Sequence, residues 1–271
     1  MKEREQKAAG AGAKKPEKIP QSEFNNIKNV IAVMSGKGGV GKSTVSALFA
    51  SSLARSGYKV GVMDADITGP SIPKMFGLKG RPGHTSLGVE PALSTMKIKI
   101  MSINLLLENE DDPVIWRGPL MSGVIKQFWT EVVWGELDYL IVDLPPGTGD
   151  APLTVMQSLP LDGLIMVTSP QEVAAMVVRK AVKMAEMMKV PMLGLIENMS
   201  YAVCPNCGEK IEVFGPSHVE EIAKGIELPL IGRIPLDPKL AELCDQGLVE
   251  NYETDVFSEI VPKDVMDKID E

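Results

Sequence analysis

Between an apolar, β-branched run at residues 29–34 (N-V-I-A-V-M) and an Ala/Leu/Ser-rich stretch at 45–56 lies Ser35-Gly36-Lys37-Gly38-Gly39-Val40-Gly41-Lys42-Ser43-Thr44. It fits G-x-x-x-x-G-K-[ST], the phosphate-binding loop, and the flanks supply the strand before it and the helix after it. Gly57 follows as a helix stop. Gly36, Gly38, Gly39 and Gly41 let the backbone turn tightly, so that successive N–H groups, Val40 among them, point inward at phosphate oxygens. The helix starting near Lys42 adds the positive end of its dipole. The motif assigns Lys42 to the β- and γ-phosphates and Ser43 to Mg²⁺. Thr44 stands where its hydroxyl reaches the α-phosphate.

The carboxylates come next. Residues 59–63 (K-V-G-V-M) read as a buried strand ending in Asp64-Ala65-Asp66. Carboxylates at the carboxyl end of a strand beside a phosphate loop sit at the ligand-binding edge of a parallel sheet. Asp66 is expected to position the attacking water and Asp64 to support the Mg²⁺ site; the competing reading is that one of them caps the next short helix. Residues 137–142 form a hydrophobic strand ending at Asp143, the pattern of a Mg²⁺-holding carboxylate. In the loop 144–150 (L-P-P-G-T-G-D) two prolines stiffen the chain, while Gly147 and Gly149 let it approach the γ-phosphate. Asp150 reads as the N-cap of a helix at 151–158.

Residues 97–107 hold a strand, and Leu120, Met121, Val124, Ile125, Phe128, Val132 and Val133 recur at helical spacing as a core stripe. Strands at 163–168 and 192–197 alternate with helices at 171–189, 216–225, 238–246 and 256–270. Strand–helix alternation implies an α/β fold, a mostly parallel twisted sheet with helices on both faces. No repeat and no second domain is visible, so residues 25–271 read as a single domain. Residues 1–24, rich in Lys, Glu, Ala, Gly and Pro, read as a disordered tail.

The net charge of −8 argues against nucleic-acid binding, which needs a basic face. No apolar run is long enough for a membrane helix, and the charged N-terminus is no secretory signal, so a cytoplasmic protein is expected. Three cysteines in such a chain point to metal or redox chemistry rather than disulfides. Cys204 and Cys207 sit in V-C-P-N-C-G, a turn that aims two thiolates at one point within a metal-binding loop at 201–215. Zinc and an iron–sulfur cluster both suit it, and each wants about four ligands, of which one chain supplies half. Cys244, on a helix face, reads as a small hydrophobe. Two facing chains would complete the ligand count.

Taken together, Lys37-Gly38-Gly39-Val40-Gly41-Lys42-Ser43, Trp116-Arg117-Gly118-Pro119, the 143–150 run, Glu197-Asn198-Met199-Ser200 and Cys204-Pro205-Asn206-Cys207 resemble one family. It is the Mrp/ApbC group of iron–sulfur cluster carriers, within the MinD/ParA/nitrogenase-iron-protein class of deviant Walker A P-loop ATPases. The resemblance implies slow ATP hydrolysis and a homodimer with two ATP molecules near its interface. Lys37 would reach across to the partner's phosphates, adding positive charge where the transition state becomes negative. It also implies base contacts at Asn198 and near Asp237, and a bridging four-iron four-sulfur cluster held by Cys204 and Cys207. Scaffold proteins and apo iron–sulfur proteins would be its partners. Two other functions compete: a MinD/ParA-like positioning switch, and an ATPase with structural zinc at the cysteine pair. No cysteine precedes Cys204, so cluster chemistry rests on that one site.

Overall fold

Residues 26–35 alternate polar and apolar at first and then run apolar without a break, which suits a strand entering a centre covered on both faces. The structure, a computed structural model, places them there as β1 (Asn26–Ser35) and describes residues 19–66, 69, 71–107, 118–170 and 174–257. After β1 come α1 (Lys42–Arg55), β2 (Val60–Asp64), α2 (Ile72–Met75), β3 (Ala92–Leu93), β4 (Lys99–Ser102) and α3 (Gly118–Thr130). Then follow β5 (Glu136–Asp143), α4 (Asp150–Ser158), β6 (Gly163–Thr168), α5 (Ala174–Met188) and β7 (Met192–Glu197). The chain continues through β8 (Ala202–Val203), β9 (Lys210–Ile211), α6 (Val219–Gly225), β10 (Leu230–Arg233) and α7 (Pro238–Gln246).

Eight strands form one sheet in the order β10-β7-β6-β1-β5-β2-β4-β3. Every pair in it is parallel except β3–β4. Side chains alternate between the faces and build two cores. Val30, Ala32 and Met34 of β1 join Met63, Leu140 and Met166 beneath α3, α4 and α5. Ile31 and Val33 join Val62, Ile141 and Ile165 beneath α1 and α7. The parallel order brings the carboxyl ends of β1, β2, β5, β6 and β7 to one edge, where ligands bind in such sheets.

Several expectations shift. Residues 19–24, expected in the tail, are tied to the domain. Trp129 Nε1 donates to Ile19 O at 3.1 Å, Ser22 Oγ to Thr130 O at 2.6 Å, and Gln21 exchanges two 2.8 Å bonds with the Ile27 backbone. Leu120 is exposed, whereas Met121, Ile125 and Phe128 are buried, because Leu120 lies at the helix start, outside the stripe's arc. Asp150 is the first residue of α4 rather than its cap; Gly149 holds the cap position without a side-chain bond. The strand expected within 97–107 is Lys99–Ser102, and a single 3₁₀ turn at Ile103–Leu106 follows it. The expected tail before residue 19, Trp116, Arg117, the first three residues of the helix expected at 171–189 and the helix beyond residue 257 lie outside the described residues.

Candidate functional site

The loop after β1 has the backbone its glycines permit. Gly39 and Gly41 have φ of +84° and +75°, and Gly41, in the left-handed region, caps α1. A Cβ on Gly38 or Gly39 would meet nothing within 4 Å, so the loop faces open space. A Cβ on Gly41 would lie 2.2 Å from Asn198 Nδ2. The cradle bounds a cavity of about 200 Å³, lined by residues 37–44 with Ser35, Asp66, Ser71, Met75 and Pro146. A larger cavity of about 420 Å³ lies apart, between residues 73–81, Asn104–Leu107 and Asp245–Gly247, and contains none of the motif residues.

Behind the cradle, buried charges neutralise one another. Lys42 Nζ lies 2.7 Å from Asp143 Oδ2, with both side chains almost wholly buried. Ser43 Oγ donates to the same oxygen at 2.5 Å, and Ser46 Oγ to Asp143 Oδ1 at 2.6 Å. Asp64 and Asp143 are register partners at the ends of neighbouring strands, so both carboxyls crowd one edge. Burial, then repulsion from Asp143, pushes the Asp64 carboxyl up to about 8, against the pull of Lys42. Asp64 accepts from Ser102 Oγ at 3.1 Å and from the Asp66 N–H at 3.2 Å. The donors gathered here (two carboxyl groups and a serine hydroxyl beside a phosphate cradle) are hard oxygens, the chemistry Mg²⁺ requires. Lys37 is exposed at the mouth. The loop 144–150 is pinned at its start, with Leu144 N donating to Val33 O and Gly147 N to Ser35 O.

The structure brings the sequence-picked residues Lys37 to Thr44, Asp64, Asp66 and Asp143 into this one place. Asn198 joins them: its Nδ2 donates to Val40 O at 3.0 Å, tying β7 to the cradle. Asp237 stands apart. It caps α7 by accepting from Lys239 N at 2.9 Å, and its other oxygen accepts from Tyr252 OH at 2.9 Å. Burial and that carboxylate push the Tyr252 hydroxyl up. Cys244 is half-buried against the core under α1, and burial pushes its thiol up, as befits a small hydrophobe. Ser46 was not picked from the sequence; its position one turn after Lys42, on the face turned to β5, is the signal that could have found it.

The cysteine pair forms a second feature. β8 and β9 make an antiparallel hairpin, with Ala202 opposite Ile211 and Val203 opposite Lys210. Its turn is closed by Cys204 N to Glu209 O and Gly208 N to Cys204 O, both 2.9 Å, with Gly208 at φ +75°. Cys204 is half-buried and Cys207 exposed. Backbone N–H groups of Cys207 and Asn206, then the Cys207 thiol, bond the Cys204 sulfur and lower its pKa, favouring the thiolate that binds metal. Among the described residues no cluster of three or more His, Cys, Asp or Glu could hold a metal, so this hairpin offers two ligands alone. Val203, Ile211 and Val213 are exposed apolar residues around it.

Comparison with known proteins follows the same lines. The family described as ParA, NUBPL iron-transfer P-loop NTPase, matches residues 26–269. An iron-sulfur cluster carrier protein of Clostridium perfringens is 47% identical over 254 residues, covering 91% of this chain and 89% of that protein. One from Methanocaldococcus jannaschii is 48% identical over 253 residues, covering 91% and 87%. A nucleotide-binding protein of Archaeoglobus fulgidus, solved in complex with ADP and with cobalt, is 51% identical at a TM-score of 0.79, covering 87% of this chain and 93% of that one. MinD of Pyrococcus horikoshii, 20% identical at a TM-score of 0.58 over 89% and 94%, shares the fold.

Proposed function

Because the chain belongs to the ParA, NUBPL iron-transfer P-loop NTPase family, we propose that it is an ATP-hydrolysing carrier that holds an iron–sulfur cluster between two copies of itself and passes it to apo-proteins. The observation that carries this reading is the coexistence of a complete phosphate cradle with an exposed hairpin offering half of a metal's thiolate ligands. Relatives at 47% and 48% identity bear the name iron-sulfur cluster carrier protein, which supports it.

In the nucleotide step, the backbone N–H groups of residues 38–42 receive the phosphates, and Lys42 exchanges its pairing with Asp143 for the β- and γ-oxygens. Ser43 and Asp143, supported by Asp64, would hold Mg²⁺, which neutralises charge building on those oxygens. Asp66, at the cavity wall, orients the attacking water. Lys37, exposed at the mouth of the cavity, would reach across to a partner's phosphates, a role that rests on the resemblance. Asn198 holds the loop from behind through Val40 O, and its contact with the base, like that of Asp237, is assigned by resemblance alone.

In the carrier step, Cys204 and Cys207 of two chains hold a four-iron four-sulfur cluster as cargo. Two ligands per chain suit release, because separating the chains removes half the ligand set. Scaffold proteins would load it, apo iron–sulfur proteins would receive it, and the cytoplasm would be its place. Among the described residues no helix is long and apolar enough to cross a membrane. Anaerobic reconstitution with iron and sulfide, followed by mixing with an apo-acceptor, tests this. Cys204→Ala and Cys207→Ala should each abolish the brown chromophore and the transfer; persistence of both in either variant would refute it.

A further inference from the structure

Glu197 ends β7 and is 2% exposed, and three side chains converge on its carboxylate. Ser200 Oγ donates to Oε2; Ser217 Oγ lies 2.8 and 2.9 Å from its two oxygens; Arg233 Nε lies 3.3 Å from Oε2. Arg233 Nε also donates to Ser200 Oγ at 2.6 Å. The backbone locks the same residues: Ile234 N donates to Glu197 O at 2.8 Å and Ser200 N to Ile234 O at 2.9 Å.

This cluster stands between the two features of the proposed site. On one side the next residue, Asn198, bonds Val40 O in the phosphate cradle. Met199 lies against the cradle too, its Cε 3.4 Å from where a Gly41 Cβ would sit, and it is held at φ +54°. A non-glycine residue in that region is strained and persists only where its surroundings impose it. On the other side the cluster grips the base of the cysteine hairpin. Arg233 Nη2 lies 3.9 Å from Glu212, just past β9, and its guanidinium carbon 5.9 Å from the Tyr201 ring, just before β8. Lys210 Nζ, in β9, lies 4.4 Å from the centre of that ring, and Leu236 N donates to Tyr201 O at 2.7 Å. Three residues, Met199, Ser200 and Tyr201, thus separate the cradle contact from the hairpin, and each is fixed at a named point.

We propose that the Glu197–Ser200–Ser217–Arg233 cluster is the positioning node that joins the phosphate cradle to the cysteine hairpin, so that nucleotide at Gly41 changes how Cys204 and Cys207 are presented. This rests on the carrier reading and adds its regulation. A nucleotide that shifts the cradle moves Asn198 and Met199, and the cluster on the buried Glu197 carboxylate transmits the movement as a rigid unit, because a carboxylate so enclosed cannot give up its partners cheaply. Coupling free energies between such sites correspond to about 5–150-fold effects.

The test uses the full chain freed of metal by a chelator and reads the rate at which iodoacetamide modifies Cys207, with and without Mg-ADP. ADP affinity is measured alongside by calorimetry. In the parent protein Mg-ADP should change the rate by about fivefold or more. In Arg233→Gln and in Ser217→Ala, which removes one hydroxyl and spares the fold, the effect should shrink to less than about twofold while ADP affinity stays within about threefold. Arg233→Lys should restore part of it. A merely structural role would lower the melting temperature and leave the nucleotide effect intact. That result, or no Mg-ADP effect in the parent protein, overturns the proposal. No cluster is needed for this readout, so it can fail while iron and sulfide binding succeed, and the reverse.

Discussion

Replacing Gly41 by Ala tests the cradle's internal geometry. The residue has φ +75°, and a Cβ there would lie 2.2 Å from Asn198 Nδ2. Placing an L-residue in that conformation costs roughly 1–2 kcal/mol. The contact cannot be relieved without moving Asn198, whose amide holds the buried Val40 carbonyl at 3.0 Å. Leaving that carbonyl unpaired costs about 1–3 kcal/mol, so the two effects together predict a loss of about 3 kcal/mol. For a domain of this size that is about 6–12 °C in melting temperature. Calorimetry with ADP should show affinity weakened by about tenfold or more, since about 1.4 kcal/mol of misplacement suffices for tenfold. Asn198→Ala removes the obstacle, so in the double variant the clash disappears and the combined loss should fall short of the sum by about 1 kcal/mol. A melting temperature within about 1 °C of the parent, or strict additivity of the two substitutions, would refute the argument that Asn198 packs on Gly41.

Lys37 and Lys42 should separate cleanly. Lys37→Ala, at an exposed position, should leave stability within about 0.5 kcal/mol of the parent. It should nonetheless lower the ATP hydrolysis rate by about 100-fold or more, the usual effect of losing a charge that stabilises the transition state. Lys42→Ala should strand the fully buried Asp143 carboxylate and cost about 3–5 kcal/mol in thermal unfolding, besides abolishing nucleotide binding. Asp138 carries a pH prediction. Its carboxyl is held below the usual range by Lys28 and by the Lys59 N–H, so its stabilising effect is present above the unfolded value near 3.9 and lost as pH falls through the lower folded value. Asp138→Asn should flatten the acid limb of the stability curve, by no more than about 1 kcal/mol for so exposed a pair.

The phosphate loop, the strand leading into it and Asp143 were legible because each is a local pattern. A glycine spacing and an apolar run ending in a carboxylate need no partner to be recognised. What stayed hidden depends on contacts between distant residues. Ser46 acquires its role only because α1 packs over β5 and turns that hydroxyl to Asp143, 97 residues away. Residues 19–24 read as tail by composition, yet Ile19, Gln21 and Ser22 bond the domain through single side chains and carbonyls that leave no periodic trace. Leu120 fitted the helical stripe by spacing, but a helix start need not face the core. Asp150 has the chemistry of a cap, but the helix begins on it rather than after it. The cysteine spacing announced a turn, whereas the cluster around Glu197 and Arg233 could not be read, because its four members come from three separate stretches of chain.

The most direct test of the carrier reading is the iron, acid-labile sulfide and zinc content of the anaerobically purified protein, measured with its oligomeric state. A four-iron four-sulfur cluster shared by two chains predicts about two iron and two sulfide per chain in a dimer, both lost together in Cys204→Ala or Cys207→Ala. Zinc at about half an equivalent per chain with no sulfide, or iron and sulfide that remain after either substitution, would contradict it.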